Sequence, residues 1–261
     1  HPIIFRYIED AKAANPDLKI IVADPRRSES AEIADLHLAI KPGTDIALFN
    51  GMLHVLINEG LVDRAYVEAH TTGFGALADI VKNYPPDTVA AICGVLAEAI
   101  VQAARWFGAS ESSLSLYCQG LNQSVHGTHN NAGVIHLHLA TGQIGKPGAG
   151  PFSLTGQPNA MGGREVGGLS NLLSAHRDLA NPAHRAEMAR FWGVPFVPAT
   201  PGKSAVDLFK ALKTGEIKAV WIACTNPAQS LPNQAAVREA LQSAWANPDT
   251  RAEVLREGGT P

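Results

Sequence analysis

Three short runs rich in β-branched and aliphatic residues each stop at a polar turn. LKIIVA at 18–23 ends in DPRRS, LHLAI at 36–40 in KPGTD, and KAVWIA at 218–223 in CTNP. Helix-period segments separate them, and parallel strands need a helical crossover where antiparallel ones need only a tight turn. In an open α/β sheet the ligand side is the carboxyl edge of the strands, which is where these polar turns fall. The pattern predicts an α/β fold of doubly wound, mainly parallel sheets with one ligand-facing edge.

The crossovers are legible by the same means. Residues 3–14 place Ile4, Ile8 and Ala11 at helical spacing before Asn15-Pro16 stops the run. IALFNGMLHVLINEG at 46–60 has a broad apolar face, a Thr44 or Asp45 cap and a Gly60 stop. Helix is also predicted over 62–82, with a break near 71–75, as a pair between Tyr84 and Phe107, and over 205–213. LSLY at 114–117 reads as a strand. VIHLHL within 129–141 alternates like a strand but sits in a segment long enough for a helix, and 171–199, with little periodicity, reads as a long wrapped loop.

Composition narrows the function. The 261 residues are 46% hydrophobic, enough for a substantial core. A formal charge of −3 leaves no basic stripe for nucleic acid, and no apolar run approaches the roughly 18 residues of a membrane span. Cys93, Cys118 and Cys224 are isolated and read as reduced, buried structural thiols. His136 and His138 read as packing, and no cluster has metal-ligand spacing, so no residue is assigned to a metal.

The stretch 116–168 is nearly charge-free, and nine of the 27 residues from 142 to 168 are Gly. Glycine lets main chain approach a ligand closely and takes up positive φ, at an entropic cost a plain linker need not carry. Asn122, Gln123, Thr155, Gln157 and Asn159 can donate and accept, and Arg164 adds a cation. Such a lining suits a large polar cofactor and a small anion. The composition shift near 112 marks a boundary between two lobes, 1–112 and 113–261.

Taken together, CQGLNQ at 118–123, HLATGQIGKPGAGPFSLTGQPNAMGGREVGG at 138–168, DPRR, KPGTD and CTNP resemble the molybdopterin oxidoreductases, specifically the nitrate reductases. The resemblance covers essentially 1–243. It implies two Rossmann-like lobes and reduction of nitrate to nitrite by oxygen-atom transfer. The implied cofactors are molybdenum held by two molybdopterin guanine dinucleotides and, in the full-length enzyme, a 4Fe–4S cluster whose ligands lie outside this chain. The metal chemistry belongs to the cofactor, while the protein positions it.

Carried over motif by motif, Asp24 with Pro25, Arg26, Arg27 and Ser28, and the Gly43-Thr44-Asp45 turn, would contact one guanine dinucleotide. Gln119 and Gln123 would face the pterin and metal, and Asn226 another part of the nucleotide. Gln157 and Arg164 would line the substrate funnel, with Gln119 beside the reacting centre. Periplasmic enzymes resemble Met at position 119, so Gln119 favours the assimilatory branch and, with it, a cytoplasmic setting. The electron donor would be ferredoxin, flavodoxin or an NAD(P)H-linked reductase. Two alternatives are a formate dehydrogenase-like enzyme and a noncatalytic cofactor-binding fragment.

The chain departs from the family in lacking its cluster-binding cysteines, its molybdenum-ligating Cys and its C-terminal domain. The opening HPIIF reads as the start of an internal fragment or a processed chain. After Ser243 the pattern dissolves, and AWANPDTRAEVLREGGTP stands where relatives continue with an apolar strand. Uncovered sheet edges predict low stability for the polypeptide alone.

Overall fold

The structure, a computed structural model, describes residues 1–157, 159–246 and 251–253. Contacts group the chain into two compact units, His1–Gly156 and a second beginning at Gln157.

The first unit opens with α1 (Pro2–Ala14), β1 (Ile21–Ala23), α2 (Glu29–Glu32) and β2 (Leu36–Leu38). The strands pair in parallel, Ile21 opposite Leu36 and Ala23 opposite Leu38. Next come α3 (Asp45–Asn58), α4 (Arg64–His70), α5 (Phe74–Val81), α6 (Pro86–Cys93) and α7 (Ala97–Ala109). Helix α3 is the hub: α5, α6 and α7 all pack on it, burying Leu48, Leu53, Leu56, Val89, Ile100 and Ala103. Gly51 is what lets α6 approach, since a Cβ there would sit 2.9 Å from a Val89 methyl.

β3 (Leu114–Tyr117), the short α8 (Gln119–Asn122), α9 (Gly127–Ala140) and β4 (Gly150–Ser153) complete the unit. β3 and β4 are parallel, Leu114 opposite Gly150 and Tyr117 opposite Ser153. The ambiguous 129–141 segment is helical. Gly127, Asn130, Val134, Leu137 and His138 recur at three- and four-residue spacing and are all buried, which a strand's alternation could not achieve. Because α9 packs along α3, the expected boundary after 112 falls inside this unit, and the division lies at Gly156 instead.

The second unit contains α10 (Ala160–Glu165), the antiparallel pair β5 (Leu172–Leu173) and β6 (Arg177–Asp178), α11 (Pro182–Trp192), α12 (Ala205–Lys213), β7 (Ala219–Trp221), α13 (Pro227–Ser230), α14 (Gln234–Ala246) and β8 (Arg251–Glu253). Two expectations need correction here. The long loop predicted over 171–199 holds a hairpin and α11, whose ends carry ordinary punctuation: the Asn181 side chain accepts from Ala183 N–H, Pro182 follows it, and Gly193 closes in the left-handed region. Its sequence, PAHRAEMARFW, lacks the apolar stripe that would have announced it. The closing segment is also not patternless, since β8 pairs in parallel with β7, Ala219 opposite Arg251. A small core of Phe209, Leu212, Val237, Ala240 and Ala244 joins α12 to α14.

Every sheet among the described residues has two strands, so the fold is mixed α/β with small, mainly parallel sheets. Among those residues no single helix is long and apolar enough to cross a membrane.

Candidate functional site

Parallel pairing puts the polar turns after β1 and β2 at the same end of one sheet. Asp24 follows β1 directly. Its N–H donates to the Leu38 carbonyl at 3.2 Å, its carbonyl accepts from His37 Nε2 at 2.9 Å, and its Oδ1 accepts the Arg26 N–H at 2.7 Å. The side chain is half-buried, and Pro25, Arg26 and Arg27 beside it are exposed. Neither arginine forms an ion pair among the described residues.

The turn after β2 is fastened differently. Lys41 N–H donates to the Cys93 carbonyl, Thr44 Oγ1 donates to the Lys41 carbonyl at 2.7 Å, and Gly43 takes φ of 82°. Asp45 begins α3 half-buried, and burial pushes its carboxyl above the ordinary range. Its carboxylate has no side-chain partner among the described residues. Two carboxylates with spare acceptor capacity and two free guanidinium groups thus share one sheet end. A ligand offering N–H donors and phosphate oxygens fits that donor set, as a guanine nucleotide does.

The β3–β4 sheet presents a second polar end. Gln119 opens α8 and Gln123 closes it, both exposed. Asn122 Nδ2 donates to Ser153 Oγ at 3.1 Å, and Leu154 N–H to the Tyr117 carbonyl at 2.7 Å, which ties the turn to the end of β4. Two buried side chains brace β3 from behind. His138 Nε2 lies 2.7 Å from Ser115 Oγ, and Gln143 bridges the Ser113 N–H and the Ser110 carbonyl. His138 Nδ1 is buried without a partner among the described residues, and burial pushes the imidazole down to about 4.

Gln157, Arg164 and Asn226 belong to the second unit. Gln157 stands at its start, exposed, and Arg164 lies on α10, also exposed. Despite adjacent Glu165, Arg164 makes no ion pair among the described residues. Asn226 heads α13 without a side-chain cap hydrogen bond, just after Cys224, which takes φ of 60°. Cys93 is buried, as expected of a structural thiol. Cys118 is half-buried and Cys224 exposed, because each falls where a strand gives way to a polar turn.

The glycines divide by role. Gly167, at φ of 79°, lies against the Leu173–Ser174 backbone, where a Cβ would meet main chain at 2.9 Å; it serves the chain's own packing. Gly156 and Gly163 have open space above them, as a ligand cradle needs.

A family model described as Molybdopterin oxidoreductase matches residues 1–248. The chain belongs to the molybdopterin oxidoreductase family. Among curated members it is 46% identical over 246 residues to a nitrate reductase of Synechocystis sp., covering 94% of this chain and 34% of that protein. It is 46% identical over 253 residues to a periplasmic nitrate reductase of Desulfovibrio desulfuricans, covering 92% and 34%. To formate dehydrogenase H of Escherichia coli it is 38% identical over 242 residues, covering 93% and 34%. The chain thus spans about a third of the length of these relatives. Among solved structures it is similar to acetylene hydratase from Pelobacter acetylenicus, with a TM-score of 0.64, 27% identity, and coverage of 91% of this chain and 35% of that one.

Proposed function

We propose that this chain is the cofactor-embracing core of a nitrate reductase. The bound group, molybdenum carried by two molybdopterin guanine dinucleotides, would supply the redox chemistry by which nitrate, two electrons and two protons give nitrite and water. In this reading the β1–β2 end grips one guanine dinucleotide through Asp24 and Asp45, with Arg26 and Arg27 toward its phosphates. Gln119 and Gln123 pack toward the pterin, and Asn226 meets another part of the nucleotide. The small sheets are parts of two Rossmann-like lobes. A 4Fe–4S cluster would relay electrons from a ferredoxin, a flavodoxin or an NAD(P)H-linked reductase.

The observation that carries nitrate as substrate is Arg164. It is an exposed guanidinium with no carboxylate partner among the described residues, in the glycine-rich stretch that also carries Gln157. A planar fork of donors matches a planar oxyanion and holds charge as the N–O bond breaks. Gln119 supports the assimilatory branch and a cytoplasmic setting; the similarity to a periplasmic enzyme makes cell fractionation the test of that point.

The similarity to formate dehydrogenase H supports a second reading, formate oxidation at the same kind of centre. A viologen dye separates the two. The nitrate reading expects the full-length protein to oxidise reduced dye when nitrate is added. Dye reduction driven by formate, with no response to nitrate, would replace it.

A further inference from the structure

His37 lies on β2 opposite Val22 and between Leu36 and Leu38. Leu38 is buried in the core, so strand alternation turns the imidazole to the other face. The β1–β2 ladder needs only main chain at this position, and Val or Thr would suit a strand better than His. What the imidazole adds lies beyond the last strand pair, Ala23 opposite Leu38. There the Asp24 carbonyl has left the ladder, and His37 Nε2 meets it at 2.9 Å. A carbonyl can only accept, so Nε2 carries the hydrogen.

This bond extends the ladder by one residue at the point where direction matters. The Asp24 N–H is already fixed by Leu38, and Pro25 confines Asp24 to extended backbone. With the carbonyl held as well, the peptide joining Asp24 to Pro25 cannot rotate, and the Arg26 N–H then sets the carboxylate through Oδ1. Oδ2 makes no hydrogen bond among the described residues, so the acceptor left over points in a single fixed direction.

We propose that His37 is a positioning residue for nucleotide recognition: its Nε2–H locks the Asp24 peptide and thereby aims the Asp24 carboxylate at the donor edge of a guanine. This rests on the guanine dinucleotide reading above. It does not require His37 to touch the cofactor.

The test uses the full-length protein made under limiting cofactor supply, with acid-released GMP per chain as the readout and thermal melting alongside. His37→Gln keeps an N–H donor at the same reach, His37→Leu removes it, and Asp24→Asn replaces the carboxylate. A single neutral hydrogen bond sets the scale, so His37→Leu should lower GMP per chain about two- to tenfold. His37→Gln should restore it while melting no higher than His37→Leu. Unchanged GMP in His37→Leu, or an equal fall in both His37 variants, overturns the positioning role when Asp24→Asn does lower GMP. Unchanged GMP in Asp24→Asn overturns the guanine reading itself, and His37's part with it.

Discussion

His138 makes stability depend on pH in a window that few other groups share. It is fully buried on α9, its Nε2 faces Ser115 Oγ, and its Nδ1 has no partner among the described residues. Protonation would therefore bury an unpaired N–H on a cation, which is why the imidazole sits at about 4 rather than the ordinary value of about 6.5. A lowered histidine pKa means the unfolded chain binds the proton first. The stability it contributes is complete above about pH 6.5 and is lost as pH falls toward 4. The gap corresponds to about 3 kcal/mol in full, of which about 2 kcal/mol is gone by pH 5. His136, half-buried, is pushed the same way. Carboxylates lowered by partners, such as Glu59 beside Arg105 and Asp35 on Lys12, lose their contribution only nearer pH 4 and below. His138→Gln keeps a donor toward Ser115 and cannot titrate. Urea unfolding at pH 7 and pH 5 should show the wild-type midpoint falling by about 1 M more than the variant's, for an m-value of about 2 kcal/mol/M. An equal fall in both proteins would refute the assignment of this acid limb to His138.

Three further outcomes are expected. Gly51→Ala drives a Cβ to 2.9 Å from Val89, which is itself fully buried, and should cost about 1–3 kcal/mol in chemical denaturation; pairing it with Val89→Ala should recover part of the loss, and full additivity would argue against the clash. A maleimide should label Cys224 in the folded protein and Cys93 only after unfolding, because Cys224 is exposed while burial raises the Cys93 thiol; equal labelling rates would contradict that placement. Arg164→Ala should lower kcat/KM for nitrate about tenfold or more while leaving molybdenum content unchanged, and wild-type kinetics would remove Arg164 from the substrate funnel.

What could be read from the chain follows from where local rules decide the outcome. Ser204 and the apolar spacing after it specify Ala205–Lys213 without help, and the structure has that helix. The polar turns after β1, β2 and β7 were equally legible, since a β-rich run followed by Asp-Pro or Lys-Pro-Gly ends for local steric reasons. The segment 129–141 was not, because VIHLHL satisfies both periods and only packing against α3 decides between them. Helix α11 was missed for the opposite reason: its caps are strong and its face is polar. At the candidate site, Asp24 and Asp45 stood out by their turns, but that they share one sheet end depends on strand pairing. His37 and Gln143 left no mark in the sequence, because a side chain that braces a neighbour's backbone has no spacing rule to betray it, and His138 read only as packing, its Ser115 partner being set by the fold.

In the proposed function the polar strand ends of this chain hold a molybdenum centre through guanine nucleotides. The most direct test is the ratio of acid-released GMP to molybdenum in the purified full-length protein. Two guanine nucleotides are expected for each molybdenum, with Asp24→Asn and Asp45→Asn each lowering the GMP recovered. Molybdenum present with no releasable GMP, or GMP content indifferent to both substitutions, would contradict it.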